Sequence, residues 1–194
     1  MSATDTVLIE VPEEIRSERL LLAVPRAGLG PLLHEAVAES MDRIKPWLPW
    51  AQELPSLEDC EARLRRMQAK FILREDLPYL IFDREREGRR LLGGAGLHRM
   101  DWGVRRFEIG YWIRSSAEGK GYVAETVHAL ADMCFAQLGA RRVDIRVDES
   151  NLRSRAVAER CGFQLESIVH NESLSAAGEP RNMCVYVKLG VRPA

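Results

Sequence analysis

The stretch RFEIGYWIRSSAEGKGYVAETVHALADMCFAQLG, residues 106–139, decides the fold. Its first eight residues, Arg106 to Ile113, are rich in β-branched and aromatic side chains and read as a strand. Its last part reads as a helix over 123–138, because Val123, Val127, Leu130, Ala131, Cys134 and Leu138 share one face and Gly139 supplies a stop. Between them lies Glu118-Gly119-Lys120-Gly121-Tyr122-Val123-Ala124. Glycines there let the backbone turn tightly and approach a ligand closely. The first N–H groups of the following helix have no partners within the helix, and its dipole is positive at that end. Together, loop and helix start form a cradle suited to a diphosphate. A plain two-glycine turn would use the same residues, so the segment needs support from the rest of the chain.

Two other phosphate-binding readings compete. Gly119-Lys120-Gly121-Tyr122-Val123-Ala124 formally fits the GxGxxA dinucleotide pattern, with Asp144 downstream. A dinucleotide fold usually begins with that motif, yet only 73 residues follow Gly121 here. The strand also ends about five residues before Gly119 instead of turning at once. The next strand, 142–147, alternates Val143, Ile145 and Val147 with Asp144, Arg146 and Asp148, unlike a strand buried on both faces. No GK[ST] follows, which removes the nucleotide-triphosphate loop.

Working outward, residues 19–24 read as a strand stopped by Pro25, after a loose arm over 1–18. An apolar stripe (Leu32, Leu33, Ala36, Val37) predicts a helix near 30–40. The segment Lys45-Pro46-Trp47-Leu48-Pro49-Trp50 is a rigid aromatic loop. Ser56 and Asp59 have capping-box spacing for a second helix, continued by Leu57, Leu64, Met67 and Phe71. Strands follow at 79–82 and 91–97, joined by a turn around Gly88. After the strand at 142–147, a short helix over 154–160 ends at Gly162. Two last strands, near 163–170 and 182–189, flank a turn with Gly178 and Pro180. The order β-α-α-β-β-β-α-β-α-β-β predicts one α/β (α+β) domain over 19–190, with a mixed sheet of about seven strands flanked by helices.

The bulk composition is that of a soluble globular chain: 194 residues, 46% hydrophobic and 29% charged. A formal net charge of −1 gives no global field for nucleic acid. Cys60, Cys134, Cys161 and Cys184 form no CxxC pair, and His34, His98, His128 and His170 show no metal spacing, so no metal site is expected. No leader pattern opens the chain and no apolar run approaches a membrane span, which points to the cytoplasm.

At this point the chain resembles the GNAT superfamily of N-acetyltransferases over nearly its whole length, from Arg19 to Leu189. That family's loop reads Q/R-x-x-G-x-G/A; here it is Glu118-x-x-Gly121-x-Val123, so the central glycine is kept and the flanking positions depart. Glu118 places a negative charge where a diphosphate would lie, which Lys120 could offset. More specific is Asn151-Leu152-Arg153-Ser154-Arg155-Ala156-Val157-Ala158-Glu159-Arg160-Cys161-Gly162-Phe163, similar to the family's N-x-x-S-x-x-V-x-E-x-x-G-F. Asn151 and Ser154 are also good helix caps, and both roles can coexist. The PWLPW loop and Ile109-Gly110-Tyr111-Trp112 resemble the RimJ/RimL branch, which acetylates N-termini of ribosomal proteins.

The resemblance implies a mostly antiparallel GNAT sheet and acetyl-coenzyme A as acyl donor, with direct attack by a primary amine. It implies coenzyme contacts from Tyr111, Trp112, Ile113, Gly119, Lys120, Gly121, Tyr122, Val123, Ala124, Asn151 and Ser154. It implies acceptor contacts from Trp47 and Trp50, which could equally be a lid on the core. For the general base it offers Glu108, otherwise a surface partner of Arg105 or Arg106, and Glu172 in the last hairpin. Ser154 is the expected proton donor to the departing thiolate, with Tyr122 the second choice. The acceptor it implies is a protein N-terminal amine, possible partners including a ribosomal protein. Small-molecule amines, or a weakly active coenzyme-binding GNAT fold, are the alternatives, and the resemblance also admits a homodimer.

Overall fold

The computed structural model describes residues 5–84, 90–175 and 178–190. Eight strands form one sheet in the order β1-β2-β3-β4-β5-β6-β8-β7. They are β1 (Glu14–Arg16), β2 (Leu20–Ala23), β3 (Leu77–Asp83), β4 (Leu91–Asp101), β5 (Arg106–Ile113), β6 (Arg142–Asp148), β7 (Gln164–Leu174) and β8 (Pro180–Leu189). The four α-helices are α1 (Gly30–Ile44), α2 (Leu57–Leu73), α3 (Tyr122–Ala136) and α4 (Leu152–Arg160). Every neighbouring pair of strands is antiparallel except β5 and β6.

The sheet divides the apolar residues into two cores. On one face Phe107, Ile109, Val143 and Ile145 pack with Val127, Leu130 and Cys134 of α3 and Ala158 of α4. On the other, Leu80, Phe82 and Leu91 pack with Leu33 and Val37 of α1 and Cys60 and Leu64 of α2. The capping box forms as its spacing predicts: Ser56 Oγ accepts from Asp59 N at 3.0 Å, and Asp59 Oδ2 accepts from Ser56 N at 3.2 Å. All four cysteines are buried and free.

Several expectations need correction. The stretch read as a loose arm contains β1, which pairs with β2 from Glu14↔Ala23 to Arg16↔Leu21 and brings the sheet to eight strands. Three residues with two charges carry no periodic signal, so this edge strand is visible only once its neighbour is placed. α1 runs on to Ile44, past the expected end at Ser40. Leu57 points to solvent, and α2 buries Cys60, Leu64 and Phe71. The polar side of β6 is not solvated: Asp144 is fully buried between Arg106 and Arg142, at 2.7 and 2.6 Å. Alternation in β6 therefore separates two buried faces, one apolar and one ion-paired, and it was no argument against a strand inside the sheet. The turn around Gly88 lies outside the described residues.

One feature of the sheet positions the site. β5 and β6 pair only through Arg106↔Arg142, Phe107↔Val143 and Glu108↔Asp144. Beyond Glu108, β5 stays paired with β4 alone and β6 with β8 alone, so the sheet opens between Ile109–Ile113 and Ile145–Asp148.

Candidate active site

The loop after β5 has the backbone its glycines require. Gly119 and Gly121 have φ of +74° and +80°, the left-handed region that strains other residues. A Cβ on Gly119 would meet nothing within 4 Å, so conformation and not crowding demands glycine there. Gly121 is the N-cap of α3 and supplies no side-chain cap, so the leading N–H groups of the helix are left for another acceptor. Arg19 fixes this turn to the start of β2. Its Nη1 donates to Lys120 O at 3.0 Å, its Nη2 lies 2.7 Å from Glu125 Oε2, and its guanidinium sits 4.7 Å from the Tyr122 ring centroid. Glu118, the acid that departs from the family loop, is paired with Arg153 Nη1 at 2.7 Å. That partner on α4 offsets the charge for which Lys120 was invoked.

Opposite the loop, Asn151 is the N-cap of α4, its side chain accepting from Ser154 N at 3.1 Å. Ser154 Oγ lies 2.8 Å from the Tyr111 hydroxyl, so Tyr111 reaches across the opening between β5 and β6 to α4. Burial pushes the Tyr111 phenol up to about 12, against the Ser154 hydrogen bond, which pulls the other way. The phenol is thus a proton holder at neutral pH. The structure brings Tyr111, Trp112, Ile113, the 119–124 loop, Asn151 and Ser154 to the two margins of the opening. The residues fit an extended thiol-bearing arm with a diphosphate: unpaired strand backbone for the arm, free helix-start N–H groups for the anion.

Glu108 stands where the two strands part. Its Oε2 is buried and accepts no hydrogen bond. Its charged neighbours are Arg99 Nη1 at 3.5 Å and Arg146 Nε at 3.8 Å, not Arg105 or Arg106; Arg106 is engaged with Asp144. Burial raises the Glu108 carboxyl above its ordinary value, and the two arginines and His98 oppose that shift. Glu172, the rival base, is hydrogen-bonded to Arg146 Nη2. The two candidate bases therefore share one guanidinium. His98, directly across from Glu108 in the β4–β5 register, holds Asp76 Oδ1 at 2.7 Å through Nδ1. Asp76 and Arg146 carried no motif in the sequence; only the register of β3 with β4, and of β5 with β6, brings them here.

On the α1–α2 face of the sheet lies a cleft of about 620 Å³, lined by residues that include Trp50, Arg63, Lys70, His98, Gly110 and Trp112. Glycines clear its floor. A Cβ on Gly94 would approach Trp112 Nε1 to 2.7 Å, and one on Gly110 would approach His98 Cδ2 to 2.8 Å. Trp50 meets Trp112 edge-on at 6.0 Å between centroids. The structure separates the two loop tryptophans: Trp47 lines a different hollow of about 230 Å³, with Arg181 5.6 Å from its ring centroid. Among the described residues no group of three or more His, Cys, Asp or Glu side chains could hold a metal, and no helix is long and apolar enough to cross a membrane.

Residues 19–164 match the family model described as "Acetyltransferase (GNAT) domain". The chain is 31% identical over 158 residues to YdaF of Bacillus subtilis (strain 168), whose name proposes a ribosomal N-acetyltransferase; the match covers 79% of this chain and 82% of that one. It is 28% identical over 165 residues to the ribosomal-protein-serine acetyltransferase of Escherichia coli (strain K12), covering 83% and 85%. In fold it is similar to RimL, a ribosomal α-N-protein acetyltransferase solved in complex with coenzyme A. The TM-score is 0.84 at 23% identity, over 92% of this chain and 98% of that one. A loop, helix start, strand opening and N-x-x-S helix gathered around one gap, together with a family match over residues 19–164, lead to one conclusion: the chain belongs to the GNAT acetyltransferase family.

Proposed function

We propose that this GNAT N-acetyltransferase transfers the acetyl group of acetyl-coenzyme A to a protein N-terminal amine, of the kind acetylated on ribosomal proteins. The observation that carries the reading is Glu108: a buried carboxylate oxygen without a hydrogen bond, at the mouth of the strand opening and across from His98, which lines the α1–α2 cleft. A carboxylate kept basic by burial is suited to take a proton from an amine delivered through that cleft. The names of YdaF and the Escherichia coli relative support the same acceptor class.

The donor supplies an acyl group activated as a thioester, and the chain positions it. The N–H groups from Gly119 to Ala124 hold the diphosphate, and the free backbone of Tyr111–Ile113, with Asn151, aligns the arm. A backbone N–H near Trp112 or Ile113 polarises the carbonyl. Glu108 removes the amine proton, and Ser154, supported by Tyr111, returns one to the departing sulfur. An N-terminal amine suits a single carboxylate base, because its pKa of about 7.7–8.0 leaves roughly a tenth of it neutral at pH 7; a lysine amine near 10.4 is neutral only about 0.04% of the time.

Free-thiol release from acetyl-coenzyme A tests this. The expected result is turnover with peptides bearing free Ser or Ala N-termini, and none with the same peptides blocked at the N-terminus but carrying lysine. Turnover with the lysine amine alone would overturn it.

A further inference from the structure

We infer that the α1–α2 cleft has a subsite for an anionic group of the acceptor, with Arg63 at its centre, so that the preferred N-terminus carries an acidic side chain close behind its amine. This rests on the N-terminal reading above. Arg63 lines the cleft and lies with its guanidinium 4.1 Å from the centroid of the Trp50 ring. Among the described residues it makes no ion pair and no hydrogen bond, although it is half-buried. Burial pulls its pKa below the usual arginine value, with no carboxylate to oppose that.

Other shielded arginines of this fold have acceptors. Arg74, Arg105 and Arg155, likewise without an ion pair, donate to backbone carbonyls or to the Tyr186 hydroxyl, and others are held by carboxylates. Arg114 is held by Glu35 and Glu39, Arg142 by Asp144 and Glu166, and Arg181 by Asp148. A partly desolvated cation resting on an aromatic face keeps a cation–π contact but lacks a counter-charge. Its planar fork is the geometry that binds carboxylate bidentately.

The surroundings extend the argument. Arg66 and Lys70 follow Arg63 along α2 at spacings that place all three toward the same cleft. The cleft's two acids are already committed, Asp59 to the Ser56 cap and Asp76 to His98. The cleft is largely apolar, and its uncommitted charge is one-sided: cations on the α2 wall, with His98 on the sheet wall beside Glu108. An acceptor with its amine at the sheet and an anion behind it matches both ends. Complementary charge of this kind selects partners and speeds encounter.

The test is competition between two peptides with the same free N-terminal Ser, one with Glu at the third and fourth positions and one with Ala there. The expected kcat/KM ratio is about tenfold or more in favour of the acidic peptide, falling as salt rises. In Arg63→Met, which keeps an apolar stem on Trp50, the ratio should drop to about one. In Arg63→Glu it should invert and favour a Lys-bearing peptide. A general loss of structure moves both peptides together and leaves the ratio intact. A wild-type ratio near one, or a ratio that survives Arg63→Met, overturns the subsite while leaving N-terminal acetylation standing. If no peptide is acetylated but a small amine bearing a carboxylate is, with the same Arg63 dependence, the subsite stands and the protein-acceptor reading fails.

Discussion

Arg146 Nε lies 3.8 Å from Glu108 Oε2, while the far end of the same guanidinium is hydrogen-bonded to Glu172. The two carboxylates are thus coupled, and substituting either changes the charge that the other feels. Glu108→Gln is expected to lower turnover by roughly 10²–10⁴-fold, with the loss shrinking as pH rises and more amine is already neutral. Glu172→Gln should act differently. It frees Arg146 to pair more fully with Glu108, which lowers the Glu108 pKa, so the acid limb of the pH–rate profile moves to lower pH with a modest fall in rate. Full activity in Glu108→Gln and a large loss in Glu172→Gln would reverse the two roles.

The same burial makes a stability prediction of opposite sign. The folded-state pKa of Glu108 is raised, so ionisation costs the native state stability in full above that pKa, and the cost shrinks as pH falls below it and is gone under the ordinary carboxyl value. Glu108→Gln should therefore melt no lower than the parent at pH 8 while being far less active. A clear drop in Tm there would make Glu108 a structural ion-pair partner.

Asn151 caps α4, and one substitution separates that role from the proposed coenzyme contact. Asn151→Ala removes the cap on Ser154 N and should cost about 1 kcal/mol of stability. Asn151→Ser keeps a capping oxygen but loses the amide. It should melt close to the parent and bind coenzyme A several-fold more weakly by calorimetry. Unaltered affinity in Asn151→Ser would leave capping as its whole role.

Arg153 pairs with Glu118 beside the proposed diphosphate cradle. Arg153→Ala should weaken coenzyme binding, and adding Glu118→Gln should restore it, because no unpaired charge then remains. If the double variant binds as weakly as the single one, Arg153 contacts the ligand directly.

Glu39 ties α1 to the end of β5: it pairs with the buried Arg114 and accepts from Ser116 N at 2.7 Å. The Arg114 hydrogen bonds hold its carboxyl at about 2, against burial. A depressed pKa contributes stability that is present above the ordinary value near 4.5 and lost as pH falls toward 2. The Tm difference between parent and Glu39→Gln should be largest above about pH 5 and should vanish near pH 2.

The parts legible in the sequence were those that local chemistry fixes. Ser56 and Asp59 announce a helix start, Gly119 and Gly121 a left-handed turn, and Asn151 a cap, because each acts on backbone within four residues of itself. The unread parts depend on register. That Glu108 faces His98, that Arg146 spans to Glu172, and that Asp144 sits buried between two arginines all follow from which strand lies beside which. The same holds for Arg63, an unremarkable helix arginine until Trp50, thirteen residues earlier, is folded over it.

The three residue pairs between β5 and β6 have a mechanical meaning. A sheet joined by so short a seam is two stiff plates on a narrow hinge, and whatever fills the gap adds the missing rungs. The donor substrate should thus serve as a removable part of the architecture. Saturating coenzyme A raises the cohesion of the whole chain by mass action, and those amide hydrogens of residues 109–113 that point away from β4 should exchange slowly only while it is in place. Product departure is then a loosening of the protein itself, and the enzyme is at its softest in the interval between one acetyl group and the next.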